Sequence, residues 1–282
     1  MSGLQLADMN PTIPPEIELL TSLSFLGFSD NGISMPLSEL LSSELYQMSN
    51  LTGLLLSGNS FTGSIPSNLG LLTSITYLTL DDNYLSGSLP SEIGNWNKMS
   101  TLWLLANSLT GSLPTELGLM TFMTDLDLRV NSLAGLMPSE LGRMTNLKVL
   151  LLFDNLLSGS VCSEAGQMTS LEWLEFSDNF FHGDLPSELG LLTNLVILWL
   201  SNLTLVTGSI PSELALLTSL RYLDVSGTNV LSGTIPTEFC FLRNSSCTFN
   251  SSVYGAEAFN CTLDFDCSDI LCGCDCPCFN ST

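Results

Sequence analysis

The sequence predicts a solenoid of stacked α/β units, each containing a short strand, a turn and a short helical segment. One observation is a repeated phrase: "LSGSLPSEIG" at 85–94 returns as "LTGSLPTELG" at 109–118 and as "FHGDLPSELG" at 181–190. A second observation is a series of asparagines spaced 24 residues apart, each preceded by L-x-L or L-x-F. A unit of this size cannot bury its own apolar face, so stacking on neighbouring units must form a continuous core.

The elements follow one another in a fixed order within each unit. Residues 72–95 read "LTSITYLTLDDNYLSGSLPSEIGN". The alternation at Leu78 and Leu80 has the period of a strand whose leucines face the core. Gly87 and Pro90 suit a turn, and the segment that follows them is predicted to be a short helix with 3₁₀ character.

The regularly spaced asparagines occupy one position of the unit: Asn59, Asn83, Asn107, Asn131, Asn155 and Asn179. Because a carboxamide both donates and accepts hydrogen bonds, we expect these side chains to satisfy backbone groups between neighbouring units rather than to bind a ligand. Segments 198–208 and 223–233 each contain one extra residue, so these two coils are expected to bulge. In the first of them, Thr204 is predicted to take the asparagine position.

The full pattern, L-x-x-L-x-L-x-x-N-x-L-x-G-x-I/L-P, resembles the plant-type extracellular leucine-rich repeat and covers residues 4 to about 242. The resemblance implies a right-handed α/β superhelix with a parallel β-sheet on its concave side and short 3₁₀ or α segments on its convex side. It also implies a non-catalytic role in recognition, as in receptor ectodomains and inhibitors of cell-wall hydrolases. The tail "FDCSDILCGCDCPC" is similar to the cysteine-rich ends of secreted leucine-rich repeat proteins of diatoms and related algae.

Two regions follow from the pattern: a repeat solenoid at 1–242, with about nine coils of 24–25 residues plus a partial first coil, and a cysteine-rich, glycosylated cap at 243–282. The cysteines predicted to form disulfides are Cys240, Cys247, Cys261, Cys267, Cys272, Cys274, Cys276 and Cys278. An even set in so short a segment is typical of oxidised secreted modules, although the pairing stays open and thiolate binding of a soft metal is the alternative. Cys162 replaces the proline of its repeat and is predicted to be a free, buried thiol.

The N-glycosylation pattern N-x-S/T occurs at Asn50, Asn202, Asn244, Asn250, Asn260 and Asn280. Four of these sites lie beside the cysteine-rich tail, which predicts a secreted or cell-surface protein. Met1 is followed by polar residues, so an export segment is expected to lie outside the given sequence.

The composition argues against several classes of function. The 28 acidic residues outweigh six basic ones, and a net charge of -22 would repel a phosphate backbone, so no nucleic acid partner is expected. No apolar run of about 18 residues occurs, so no membrane span is expected in this chain. His182 is the single histidine, and no catalytic or metal-binding motif is present. We therefore expect no enzymatic activity, no cofactor and no metal site.

Candidate partner-binding residues lie at strand positions that alternate away from the core, where the period leaves residue choice free. They are Tyr77, Trp103, Leu105, Asp125, Asp127, Arg129, Leu151, Phe153, Trp173, Glu175, Trp199 and Tyr222. Neighbouring strands lie about 4.8 Å apart, so an exposed apolar strip is expected, interrupted by Asp125 and Asp127. The strip comprises Trp103, Leu105, Val149, Leu151, Phe153, Trp173, Ile197 and Trp199. Two alternatives are that these aromatic residues pack only against one another and that they stack on a glycan.

A second ladder consists of glutamates that follow the proline position: Glu16, Glu92, Glu116, Glu140, Glu164, Glu188, Glu213 and Glu238. We interpret it as a solubilising face, with loose divalent-cation binding as the alternative.

At the N-terminus, Leu4 and Leu6 begin a partial repeat with no capping segment before it. That end is therefore expected to be covered by further coils or by another molecule.

Two functional hypotheses follow. The first is an extracellular scaffold that joins copies of itself or other proteins in a surface layer, fibre or adhesion complex. The second is a ligand-recognition module, such as a receptor ectodomain or an inhibitor of a secreted hydrolase, whose ligand lies on the concave strip.

Overall fold

Ten parallel strands, arranged in chain order, form one long sheet in the computed structural model, which describes residues 3–5, 20, 22–41, 45–228, 247–250 and 260–263. The strands of this long sheet are Gly3–Gln5, Phe25–Gly27, Gly53–Leu55, Tyr77–Thr79, Thr101–Trp103, Asp125–Asp127, Val149–Leu151, Trp173–Glu175, Ile197–Trp199 and Tyr222–Asp224. A parallel sheet in which consecutive coils supply consecutive strands is the predicted solenoid.

The central leucine of each strand points into the core. Leu102 pairs in register with Leu78 on one side and Leu126 on the other, and all three are at most 1% exposed. Leu104 and Leu128, two residues further along their strands, are also buried. The predicted strand phase is therefore confirmed, because a shift by one residue would expose these side chains.

Short helices form the opposite side of each coil. The 3₁₀ helices are Leu45–Gln47, Ser67–Leu71, Ser91–Asn95, Thr115–Leu119, Ser139–Arg143, Ser163–Gln167, Ser187–Leu191 and Ser212–Leu216, and Leu37–Leu40 is a single α-helical turn. Proline precedes most of them, and Cys162 adopts the same backbone shape, with a φ of -72° that equals the φ of Pro90. The glycine that ends the repeated phrase allows close stacking: a Cβ on Gly118 would lie 2.3 Å from the backbone oxygen of Glu140 in the next coil.

Two additional parallel sheets, which the sequence pattern did not predict, lie between the asparagine turn and the proline. One contains Thr62–Gly63, Tyr84–Gly87 and Ser108–Leu109, and the other contains Ala134–Leu136, Leu156–Gly159, Phe180–Asp184 and Leu205–Thr207. A separate antiparallel pair joins Cys247–Asn250 to Asn260–Leu263. The segment after the asparagine is thus a strand in most coils rather than a simple turn.

The asparagine ladder has the predicted structural role. The Nδ2 of Asn83 donates to the backbone oxygens of Leu56 and Leu80, each at 3.0 Å. Its Oδ1 accepts from the backbone N–H of Phe61 at 2.9 Å. Each carboxamide therefore ties its own turn to the preceding coil, and both polar atoms of Asn83 have backbone partners.

The coil with the extra residue corrects one prediction. In the regular coils the residue before the ladder asparagine has a positive φ, as at Asp178, and in the longer coil this conformation falls on Asn202. Leu203, which is fully buried, therefore holds the asparagine position, and Thr204 is the exposed extra residue. The prediction of Thr204 was wrong by one residue, because burying a leucine avoids burying a hydroxyl group without partners.

Several predictions lie wholly or partly outside the described residues. Cys247 and Cys261 lie on the antiparallel pair, but the other six tail cysteines, Asn244, Asn280, Leu6 and the coil at 229–233 are not among the described residues. Cys162 is a free thiol, as predicted, but it is half-buried rather than buried, and burial raises its pKa. Within the described ranges, no helix has the length and apolar character needed to cross a membrane.

Candidate ligand-recognition surface

The strand register aligns five outward side chains in a row across the long sheet. Trp103 lies beside Asp127, Asp127 beside Leu151, Leu151 beside Glu175, and Glu175 beside Trp199. We call these five residues the central row. At about 4.8 Å between strands, the row spans roughly 19 Å from one tryptophan to the other, which is the length of about six residues of extended chain.

An aromatic pair stands at each end of the central row. The ring centroids of Tyr77 and Trp103 are 5.8 Å apart, and those of Trp173 and Trp199 are 5.5 Å apart, both in edge-to-face geometry. Trp103 is 37% exposed, whereas Trp173 and Trp199 are half-buried. Edge-to-face packing fixes the rings and leaves apolar surface available to a ligand.

An ion cluster occupies the middle of the row. The Nε and Nη2 atoms of Arg129 donate to the carboxylate of Asp127 at 3.0 and 2.8 Å, so this pair is bidentate. The Nη1 atom of the same guanidinium lies 4.0 Å from Oε2 of Glu175. Arg129 thus reaches between two carboxylates whose strands are separated by the strand of Leu151, which is only 4% exposed.

Glu175 is the least satisfied of these charged groups. The residue is 4% exposed, and its buried Oε2 has no hydrogen-bond partner. Loss of hydration raises the pKa of the Glu175 carboxyl to about 7, the Arg129 charge opposes this rise, and the carboxylates of Asp127 and Asp178 add to it. The indole Nε1 of Trp173, on the same strand, is also buried without a hydrogen-bond partner.

Acidic groups continue towards the Tyr77 end of the surface. Burial raises the pKa of Asp81, although the hydroxyl of Ser57 donates to this carboxylate. Burial also raises the pKa of Tyr77, and the nearby charges of Asp81 and Asp125 act in the same direction. Asp125 accepts a hydrogen bond from the hydroxyl of Thr124. The surface around the first aromatic pair therefore carries negative charge.

The remaining predicted site residues lie on the same face but are exposed to different degrees. Leu105 and Phe153 are half-buried, and Tyr222 is 46% exposed. The predicted exposed apolar strip, interrupted by Asp125 and Asp127, differs from the structure in one respect: Leu151 is buried, and the ion cluster of Asp127, Arg129 and Glu175 crosses the strip there. The contact between Arg129 and Glu175 was missed, although both residues lie in outward columns two coils apart.

The glutamate ladder lies on the helical side, where each glutamate of the described 3₁₀ helices is the second residue. In five of these helices the glutamate accepts a weak hydrogen bond from the serine before it, as Glu92 does from Ser91 at 3.3 Å. Across the described part of the chain, no group of three or more His, Cys, Asp or Glu residues is arranged to hold a metal ion. The solubilising role of the ladder stays a prediction.

The repeats match a known family model. The model described as "Leucine Rich Repeat" matches residues 50–72, 74–96, 170–192 and 219–242. These are leucine-rich repeats. A comparison with the sequences of curated proteins gives no significant match.

Several solved structures of similar shape come from plant receptors. The plant peptide hormone receptor RGFR1, solved in complex with RGF2, is 28% identical, with a TM-score of 0.79 over 89% of this chain. The Arabidopsis receptor kinase HAESA, solved with the peptide hormone IDA and the co-receptor SERK1, is 26% identical, with a TM-score of 0.73 over 88% of this chain. The leucine-rich repeat protein LIC12759 of Leptospira interrogans is 25% identical, with a TM-score of 0.53 over 88% of this chain.

The lengths of these proteins differ. The chain covers 38% of the RGFR1 chain, 45% of the HAESA chain and 78% of the LIC12759 chain. The leucine-rich repeats described here thus resemble part of a plant receptor ectodomain, and the functions of those receptors are not transferred by the similarity of fold.

Proposed function

We propose that the protein is an extracellular, non-catalytic recognition module that binds an extended peptide or protein segment on the outward face of the long sheet. The observation that carries this proposal is the central row, which has an aromatic pair at each end and a glutamate whose buried Oε2 has no hydrogen-bond donor. A purely structural surface gains nothing from such a group, because burying a charged group without partners costs free energy.

The comparisons support recognition rather than assembly. One similar protein is a plant peptide hormone receptor in complex with RGF2, and another is HAESA in complex with the peptide hormone IDA and the co-receptor SERK1. A segment of about six extended residues also matches the span between Trp103 and Trp199. The scaffold hypothesis would place the main contacts between copies of the chain, and no observation on the described residues favours such a contact.

Selection of peptides from a random display library tests the proposal. The full chain is immobilised and screened against random dodecapeptides, and enriched peptides are measured by calorimetry against the Trp103→Ala variant. The control is Phe122→Ala, which removes an aromatic ring outside the long sheet that is more exposed than Trp103, at 65% against 37%.

We expect Trp103→Ala to weaken binding of the enriched peptides at least tenfold and Phe122→Ala to leave it unchanged. Failure to enrich any peptide, or equal losses in both variants, would contradict the proposal. Binding confined to oligosaccharides in a parallel glycan screen would also contradict it and would assign the aromatic pairs to sugar stacking.

A further inference from the structure

The outward face of the long sheet carries an unbalanced charge. Three positions of each coil point outward: the first and third residues of the strand and the residue two positions after it. The described charged residues at these positions are Asp81, Asp125, Asp127, Glu175, Asp224 and Arg129. Five carboxyl groups therefore face one guanidinium. A ligand with complementary charge would be attracted to this surface and oriented on it.

The single guanidinium is largely committed to one carboxylate. Arg129 makes a bidentate contact with Asp127, but it approaches Glu175 only to 4.0 Å, beyond hydrogen-bonding distance. Asp127 is thus satisfied by hydrogen bonds, whereas Oε2 of Glu175 has none. Arg129 gives Glu175 some electrostatic support without supplying a donor, so Oε2 of the carboxylate is left as a buried acceptor without a partner just beneath the binding face.

The surroundings of Glu175 favour a cation as the missing donor. Trp199 lies beside it in register, and Trp173 lies on the same strand, so two indole rings flank the carboxylate. Aromatic rings attract ammonium and guanidinium groups, and a carboxylate forms its strongest hydrogen bonds with the same groups. A ligand carboxylate would instead meet the negative charges of Asp127 and Glu175.

We propose that Glu175 is the anchor for a basic side chain, a lysine or an arginine, of a peptide ligand that lies along the central row, with the cation packed against the outer surface of the Trp173 and Trp199 rings. This inference rests on the proposed recognition function and specifies its ligand class. It assigns the aromatic pair at this end of the row to the basic residue and leaves the Tyr77 and Trp103 pair for an apolar residue of the same peptide.

Binding is expected to depend on pH through Glu175. The charged groups that act on it are Arg129, Asp127 and Asp178, while the neighbouring strands present the uncharged side chains of Leu151 and Trp199. The pKa of the carboxyl is about 7 in the free protein, and a bound cation stabilises the ionised form. Affinity should therefore fall as the pH decreases from 8 to 6.

The enriched dodecapeptides described above provide the test. We expect lysine or arginine at one fixed position of these peptides, and replacement of that residue by uncharged norleucine should weaken binding about tenfold or more. Glu175→Gln, which keeps the shape and removes the charge, should cause a similar loss and abolish the pH dependence. Glu172→Gln, at an exposed pair with Lys148 on the edge of the sheet, is the matched control and should have little effect.

The outcomes separate this inference from the proposed function. Peptides that lose affinity in Trp103→Ala but tolerate norleucine and Glu175→Gln would overturn the cationic anchor and leave the recognition surface intact. Enrichment of acidic peptides would also overturn it. If no peptide depends on Trp103, the proposed function fails as well. Thermal unfolding of Glu175→Gln verifies that any loss of binding does not come from loss of the fold.

Discussion

Asn155 and Glu175 are almost equally buried, at 3% and 4% exposed, yet their hydrogen bonds differ completely. The Nδ2 of Asn155 donates to the backbone oxygens of Leu128 and Leu152 at 2.9 and 3.1 Å, and its Oδ1 accepts from the N–H of Leu133 at 3.0 Å. The buried oxygen of Glu175 accepts none. The asparagine completes the fold, whereas the glutamate leaves a buried acceptor without a partner beneath the outward face.

The difference shows how a repeat protein divides its positions. Residues fixed by the 24-residue period, such as the core leucines and Asn155, have their packing and hydrogen bonds satisfied by the neighbouring coils. Positions that the period leaves free differ from coil to coil and form the central row. Substitutions at the first kind of position should change stability, and substitutions at the second kind should change binding.

The largest expected effect is at Trp96, the tryptophan that faces inward. It is 1% exposed, and its Nε1 donates to the backbone oxygen of Leu69 at 3.1 Å. Trp96→Ala should lower the free energy of unfolding by about 4 kcal/mol, because it leaves a large cavity. Trp103→Ala, the matched change on the outward face, should lower it by less than about 1 kcal/mol. Urea denaturation measures both, and similar losses would remove the distinction between the two kinds of position.

Asn155→Ala tests the residue whose side-chain hydrogen bonds are made within the fold. The substitution leaves buried backbone groups without partners in two coils, and it should lower the free energy of unfolding by about 3 kcal/mol. Asn146 makes a single exposed bond to the backbone of Thr121, so Asn146→Ala should cost less than about 0.5 kcal/mol. Chemical denaturation of the two variants gives the contrast, and a small loss in Asn155→Ala would mean that the ladder is not required for stability.

Glu175→Gln tests the residue without a hydrogen-bond partner, through the pH dependence of stability. The folded-state pKa of about 7 lies above the ordinary value of 4.5, so the native state binds more protons than the unfolded chain between these values. The contribution of Glu175 to the free energy of unfolding is fully present below about pH 4.5 and is lost as the pH rises from 4.5 through 7. The free energy of unfolding of the glutamine variant, relative to that of the wild type, should therefore rise by on the order of 2 kcal/mol between pH 4.5 and pH 8. Unfolding measured across this range checks the sign, and a difference that does not vary with pH would contradict it.

The smallest expected effect is at Cys162, where one repeat departs from its own consensus. Its φ of -72° and ψ of 141° suit proline, which the equivalent coils carry. Cys162→Pro should raise the free energy of unfolding by about 0.4 to 1 kcal/mol, because proline restricts the unfolded chain. Calorimetric melting checks the direction, with Cys162→Ser as the control for loss of the thiol. Destabilisation by proline but not by serine would show that the coil needs the backbone N–H at this position.

The sequence was sufficient to predict the features that depend on the period. The phase of the long sheet, the burial of Leu102 and Leu126 and the role of Asn83 follow from spacing alone, since each repeat confirms the others. The short strands such as Tyr84–Gly87 were missed because a run of only two to five residues gives no clear alternation. The asparagine position of the longer coil was assigned to Thr204 instead of Leu203, because spacing does not show which residue of a longer coil is the extra one.

The sequence predicted which residues lie on the candidate surface, but not their hydrogen bonds or their exposure. Alternation placed Trp103, Asp127, Glu175 and Trp199 on one face, as the structure has them. It did not indicate that Arg129 would satisfy Asp127 and leave Glu175 without a donor, because that outcome depends on side-chain conformations across two coils. Exposure was also unpredictable, since Asp127 and Glu175 are buried by the side chains around them on a face that alternation marks as outward.

The central claim, that the outward face of the long sheet is used for recognition and not for stability, is tested most directly with the double variant Trp103→Ala and Trp199→Ala. Its dissociation constant for an enriched dodecapeptide and its free energy of unfolding are measured on the same preparation. The account predicts binding weakened by about 2 kcal/mol or more, roughly thirtyfold, with the unfolding transition almost unchanged. Unchanged binding, or a loss of binding that only follows a loss of stability, would contradict it.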